Sequence, residues 1–442
     1  MSRLTWLAGL GLLATAALAA PVSLITLAPE KAAVVAGSTP FQFAATGLYA
    51  DSTTGRLGNA TLGAGGNHTC SVVHSGGVRC WGQNGLGELG SSPAVTQSAV
   101  PLSVPTVASA TAVAGGFQFT CAVLTGGSVR CWGAGTSGQL GNGGLVSTST
   151  PVSVSGISNV ISVGAGFQHA CALLSTGGVR CWGENGKGQL GNASTTDSSI
   201  PVPVSGITTA IGLTVGGDSA CAVIAGGGVR CWGANNVGQL GNGSLLGSST
   251  PVEVSGISTA VAAGAGFDFN CALLGGGALR CWGEGRSGQL GNGALASSST
   301  PVAVTLPGEA IAVAAGLSHT CAVLKDDTVQ CWGSNGNGQL GNGTIVGTFP
   351  SPAGVPGIDD AITVTAGFSH TCASLKSGAV RCWGINSEGQ VGAGVIYPRT
   401  GSPVDVNGTA TAIEAGYNHN CVVLPSGRVA CWGGNQFGQT GQ

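Results

Sequence analysis

The sequence predicts an all-β chain, a β-propeller of four-stranded blades, eight by its repeat count. Three observations carry this expectation. Sixteen cysteines fall into eight Cys-x9-Cys pairs, whose first members lie 51, 50, 50, 50, 50, 51 and 49 residues apart. A period near 50 residues, filled with short apolar runs, marks a propeller or a solenoid. No stretch holds a helical period, while 81 Gly and 18 Pro in 442 residues punctuate the chain with turns. Length alone would suggest two or three domains, a prior that repeats override.

The chain starts with a short positive stretch, Met1-Ser2-Arg3, followed by uncharged Leu4 to Ala20. Ala17-Leu18-Ala19 closes it as small-x-small, which predicts a secretory signal peptide over 1–19, cut after Ala19. The alternative is an uncleaved anchor at the lower length limit of a membrane span. Later apolar runs are broken by Gly, Pro or polar residues, so no stable membrane span is expected after cleavage. Residues 20–54 have two readings. Pro21-Val-Ser-Leu24 is close to Pro151-Val-Ser-Val154 and would supply a ring-closing edge strand. Ala33-Val-Val-Ala-Gly-Ser38 and Phe41-Gln-Phe-Ala-Ala-Thr-Gly47 read instead as part of an Ig-like module, too short for a full sandwich.

Residues 55–442 carry the repeats, and one copy shows the blade. Asn159–Gly166 is a strand of small and β-branched residues, and His169–Leu174 is a second. Ser175–Gly178 is a turn, Val179–Gly183 a third strand, and Glu184–Asn192 a glycine-rich loop. Pro201–Val204 is the fourth strand, confined by its prolines to a sheet edge.

Composition excludes several classes. Lys plus Arg is 15 against 17 acids, so a surface built to neutralise phosphates, and with it nucleic-acid binding, is not expected. An even cysteine count in an exported chain favours disulfides and places the protein outside the cell, at its surface or in a periplasm. Counting inward from Cys171 and Cys181, Ala172 faces Arg180 and Leu173 faces Val179, so the cysteines lie opposite one another. Facing residues stand about 4.5–5.5 Å apart at Cα, which suits a bridge. The expected pairs are Cys70–Cys80, Cys121–Cys131, Cys171–Cys181, Cys221–Cys231, Cys271–Cys281, Cys321–Cys331, Cys372–Cys382 and Cys421–Cys431.

His-Thr-Cys-Ala-Val, Val-Arg-Cys-Trp-Gly and Gly-Gln-Leu-Gly-Asn-Gly together resemble the repeat of the regulator of chromosome condensation family. The resemblance covers nearly the whole mature chain. It implies a β-propeller, usually of seven blades, from which eight repeats depart. It also implies that the histidine two before the first Cys is a structural hydrogen-bonding residue. The family includes a nuclear exchange factor for a small GTPase and a secreted bacterial inhibitor of β-lactamase. The exchange factor carries an extra wedge hairpin, for which repeats spaced by at most 51 residues leave no room.

Other chemistry finds weak support. A metal site of His-x-Cys…Cys type fails because Phe119, Ser219 and Phe269 replace the histidine in three copies, so neither metal nor cofactor is expected. Gly186-Lys-Gly-Gln-Leu-Gly191 matches G-x-G-x-x-G but opens no helix, and its glycines serve turns. Arg180 and Trp182 share a strand face, which suggests an Arg–Trp stack between blades. The 17 acids are scattered and form no acid/base couple, so the chain is read as no enzyme.

One further position stands out. Four residues before the first Cys of each pair are Gly66, Phe117, Phe167, Gly217, Phe267, Leu317, Phe368 and Tyr417. If these turns circle the channel mouth, Phe117, Phe167, Phe267, Leu317, Phe368 and Tyr417 form an apolar ring that binds a protein or glycan. The competing reading is packing between blades. The expected function is an exported, non-catalytic scaffold, with a hydrolase inhibitor and an exchange-factor-like regulator as alternatives.

Overall fold

Each blade grows outward from the channel. In the third, Val160–Ala165, His169–Leu174, Val179–Gly183 and Ser198–Pro203 pair antiparallel in that order. The turn between the middle strands hydrogen-bonds Leu174 N–H to the Gly178 carbonyl, with Gly177 at φ 81°. This three-residue loop, with glycine in the left-handed position, sets the hairpin register. Leu174–Gly178 and Gln168–Glu184 are therefore hydrogen-bonded pairs, which leaves Cys171–Cys181 a non-hydrogen-bonded pair. Side chains approach most closely at such pairs. All eight expected disulfides are present, with Cα atoms 4.0–4.1 Å apart, closer than the expected range.

The fourth strand starts at Ser198, three residues before the Pro201 that the sequence suggests. It pairs Gly183 with Ser198 and Cys181 with Val202, so a bulge of two extra residues holds Pro201. Proline lacks an N–H, and a bulge is where a strand tolerates that loss.

The computed structural model describes residues 33–37, 42–48, 54–56, 62–72, 76–91, 95–387, 391, 399–410, 412–425, 429–436 and 440. Eight such sheets form a closed ring; seven have four strands, and the eighth has three among the described residues. The signal-peptide expectation over 1–19 and the edge-strand candidate Pro21–Leu24 lie outside the described residues. Upstream of the ring, β1 (Ala33–Gly37), β2 (Gln42–Leu48) and β3 (Thr54–Arg56) make a separate antiparallel sheet. Among the described residues no helix is long and apolar enough to cross a membrane.

The core lies between blades rather than within them. One cluster joins Cys171, Cys181 and Leu190 of blade 3 to Leu213, Ala222 and Trp232 of blade 4. Blades are also tied by backbone: Ala210 N–H at the start of one inner strand donates to the Gly177 carbonyl of the previous blade. The ring closes by the same device, since Trp81 of blade 1 packs against Cys421, Val423 and Cys431 of blade 8. Seven tryptophans are fully buried this way, and Trp432 is half-buried.

Candidate functional site

The repeated motif is first a blade-to-blade joint. Trp182 Nε1 donates to the Gln139 carbonyl of the preceding blade at 2.9 Å, and Trp132, Trp232, Trp282, Trp332 and Trp383 do the same one repeat apart. Gly141 sits so close that an added Cβ would lie 2.9 Å from the Trp182 ring, at φ +67°. Only glycine fits there. Within the loop, Gln189 Oε1 accepts from Lys187 N–H and Asn185 Oδ1 accepts from Leu190 N–H. The G-x-G-x-x-G match is thus a self-clasped turn.

The histidines complete the joint. His68 and His319 bond Thr120 and Thr371 of the next blade at 2.7 and 2.9 Å, and His419 meets Thr69 across the ring closure. Thr371 Oγ1 donates its proton to the Gln339 carbonyl, so it accepts from His319, whose Nε2 carries the hydrogen. Burial holds all five rings neutral: His68, His169 and His370 fall to about 4, and His319 and His419 to about 3. Among the described residues no cluster of metal-ligating side chains occurs.

In place of the expected Arg–Trp stack, Arg180 Nη1 donates to the Pro201 carbonyl in the fourth strand of its own blade at 3.4 Å. Arg130 Nη1 donates to the Thr106 carbonyl at 2.9 Å, and Arg230 to that of Gly206 at 3.2 Å. Both carbonyls lie in the connector that enters the arginine's own blade. The trigger is local: a guanidinium reaches these free backbone acceptors, while the indole is already buried against the neighbouring blade.

The loop face is different in kind. The first turns of blades 1 to 3 hydrogen-bond to the next blade's turn, as Phe167 N–H does to the Gly217 carbonyl at 3.2 Å. The long loops reach the same level: Lys187 Nζ pairs with Asp218 Oδ2 at 2.5 Å, and Ser137 Oγ meets Gln168 Oε1 at 2.7 Å. Phe117 and Phe167 meet edge to face at 5.7 Å, Phe167 and Phe267 at 5.3 Å, and Phe368 and Tyr417 stack tilted at 4.1 Å. Phe167 and Phe267 belong to blades 3 and 5, and Gly217 of blade 4 makes room between them. An added Cβ there would lie 3.0 Å from the Phe167 ring. Phe117 is 40% exposed, while Phe167, Phe267, Leu317, Phe368 and Tyr417 are half-buried. Ring-to-ring packing and an accessible apolar surface therefore coexist at the five aromatic residues, with Leu317 half-buried at the equivalent position.

Beside this collar the acids converge in one sector. Asp268 is pushed up by burial and by Asp218 and Glu284, and Glu184 by burial and by Asp218 and Asp197. Scattered in sequence, they meet because Glu284 N–H bonds the Asp268 carbonyl three residues beyond the cysteine pair. Extending the hairpin register by three residues would have found that contact. A second missed feature is the exposed apolar tips of the long loops, Val146 at 76%, Leu246 at 78% and Val346 at 68%. Their signal was Gly-Asn-Gly, one small residue and then an apolar pair, hidden in a Ser/Thr-rich tail.

Residues 49–356 match a family profile described as the RCC1-like domain, and residues 361–390 and 410–439 match the regulator of chromosome condensation (RCC1) repeat. Human WBSCR16 has a similar structure, with TM-score 0.66 and 21% identity over 81% of this chain and 99% of that one. Prp20p from Saccharomyces cerevisiae, described with its binding to Gsp1p and histones, gives 0.63 and 22% over 77% and 89%. Yeast RCC1 (Prp20) bound to Kap60 gives 0.63 and 21% over 80% and 88%. At these identities the likeness carries the fold alone. No curated protein matches the chain by sequence.

Proposed function

This chain belongs to the RCC1-like domain family, and from that premise we propose that it is an exported, non-catalytic scaffold that binds a protein or glycan through its loop face. The observation that carries this reading is the collar of Phe117, Phe167, Phe267, Leu317, Phe368 and Tyr417, part accessible and flanked by Asp218, Asp268 and Glu284. An apolar ring with a carboxylate sector complements a partner that offers a flat apolar patch and hydrogen-bond donors or positive charge. Protein partners are documented for the yeast relative, which binds Gsp1p and histones. Export is supported by Arg3 ahead of the uncharged run Leu4 to Ala20 with its small-x-small close, and by eight disulfides, which persist in oxidising compartments. A secreted hydrolase inhibitor is a narrower form of the same reading. An exchange-factor role is disfavoured by repeats that never exceed 51 residues.

The test is capture of a partner from the native secretome or envelope, followed by affinity measurement with two variants. Phe117→Ser alters the most accessible ring, and Phe167→Ser/Phe267→Ser/Phe368→Ser removes most of the collar. Lost affinity with an unchanged melting temperature supports the proposal. A lower melting temperature with affinity retained per folded molecule assigns the collar to packing.

A further inference from the structure

The innermost strands of a propeller leave one backbone edge facing the channel, and such an edge recruits further chain. In blades 3 to 5 these strands are Val160–Ala165, Ala210–Val215 and Ala260–Ala265, small, apolar and without charge. Strand β1 lies beside all three, and β2 lies beside the inner strand of blade 8, Ala412–Ala415, across the ring. β1 and β2 form one antiparallel hairpin, with Ala33 opposite Thr46 and Gly37 opposite Gln42. A hairpin flanked on one side by blades 3 to 5 and on the other by blade 8, through innermost strands, lies across the channel. Its sequence fits that place. Residues 32–50 carry no charge, between Lys31 and Asp51, and the uncharged inner strands of blades 3 to 5 beside β1 would penalise a buried ion.

We propose that the paired strands β1 and β2 are the resident occupant of the propeller channel, with β1 seated against the innermost strands of blades 3, 4 and 5. The ring is then a plugged disc. A partner on the loop face meets a filled mouth, and the channel-facing edges are kept from pairing with other chains.

Val34→Asp/Val35→Asp in the full chain puts two charges into the otherwise uncharged β1. Hydrogen exchange followed by mass spectrometry reads the inner strands, and tryptophan fluorescence reports that the ring is folded. Expected is a loss of protection of about tenfold over Ala210–Val215 and Ala260–Ala265, with a smaller change over Ala361–Ala366. Exchange unchanged everywhere, or accelerated equally in all three strands, overturns the proposal. As a second measurement, the full chain is cut at a protease site inserted after Asp51. The released N-terminal piece should co-elute with the ring in gel filtration, and its elution as a free peptide likewise overturns the assignment.

Discussion

The joint between blades 3 and 4 and the joint between blades 6 and 7 differ at one residue that decides their chemistry. Both bury a tryptophan, Trp232 or Trp383, whose Nε1 donates to a glutamine carbonyl of the preceding blade. Both bury a histidine on the earlier blade, His169 or His319. Opposite His319 stands Thr371, which bonds the ring at 2.9 Å and passes its own proton to Gln339. Opposite His169 stands Ala220, and neither ring nitrogen of His169 has a hydrogen-bond partner. Between blades 2 and 3 an alanine, Ala170, again occupies the partner position, and there Phe119 replaces the histidine. The histidine is thus half of a joint whose other half is written one repeat later. Where the partner is alanine, an apolar ring suits the site better.

The largest expected effect tests what the two joints share. Trp232→Ala and Trp383→Ala should each cost about 3–5 kcal/mol, because both remove a fully buried ring from an interblade core. Urea unfolding would show similar losses. A loss confined to Trp383→Ala would mean that the polar layer, not the packing, holds the blades.

Acid titration comes next. Folded pKa values of about 4 or 3 lie below the ordinary histidine value of 6.5, so the unfolded chain binds more protons between them. Stability is full above 6.5 and falls as pH drops toward 4, by up to about 1.4 kcal/mol per pH unit for each ring. Asp268 and Glu184, raised by burial, oppose this slope near its acid end. His169→Phe should flatten the dependence of melting temperature on pH and raise stability at pH 5. A flat wild-type profile from pH 7 to 4 would refute the account.

The smallest effect is also the sharpest. Thr371→Val should make joint 6/7 resemble joint 3/4 and cost about 1–3 kcal/mol, because it orphans a buried nitrogen. The reciprocal Ala220→Thr should add about 0.5–1.5 kcal/mol by giving His169 its acceptor. Chemical denaturation measures both, and equal, near-zero changes would show that the histidine bond is energetically idle.

Much of a single blade was legible in the sequence. The ten-residue offset of Cys171 and Cys181, with Ser-Thr-Gly-Gly between, determines one hairpin register, and the strand limits His169–Leu174 and Val179–Gly183 follow from it. The edge strand was less legible, because Ser198 and Ser199 read as loop until the bulge at Pro201 is seen.

By itself, then, the sequence determined the repeat, the hairpins, the eight disulfide pairings and the aromatic positions, because each depends on residues a few places apart in one chain direction. Only the tertiary structure decided what those residues meet. Trp182 finds Gln139, 43 residues away, and His319 finds Thr371, 52 residues away. Phe167 reaches Phe267 across Gly217, Glu284 joins Asp268 in an acidic sector, and strand β1 lies beside inner strands more than 100 residues distant. The physical reason is closure. Blade-to-blade distances are set by how eight twisted sheets pack into one ring, and that geometry belongs to no single repeat.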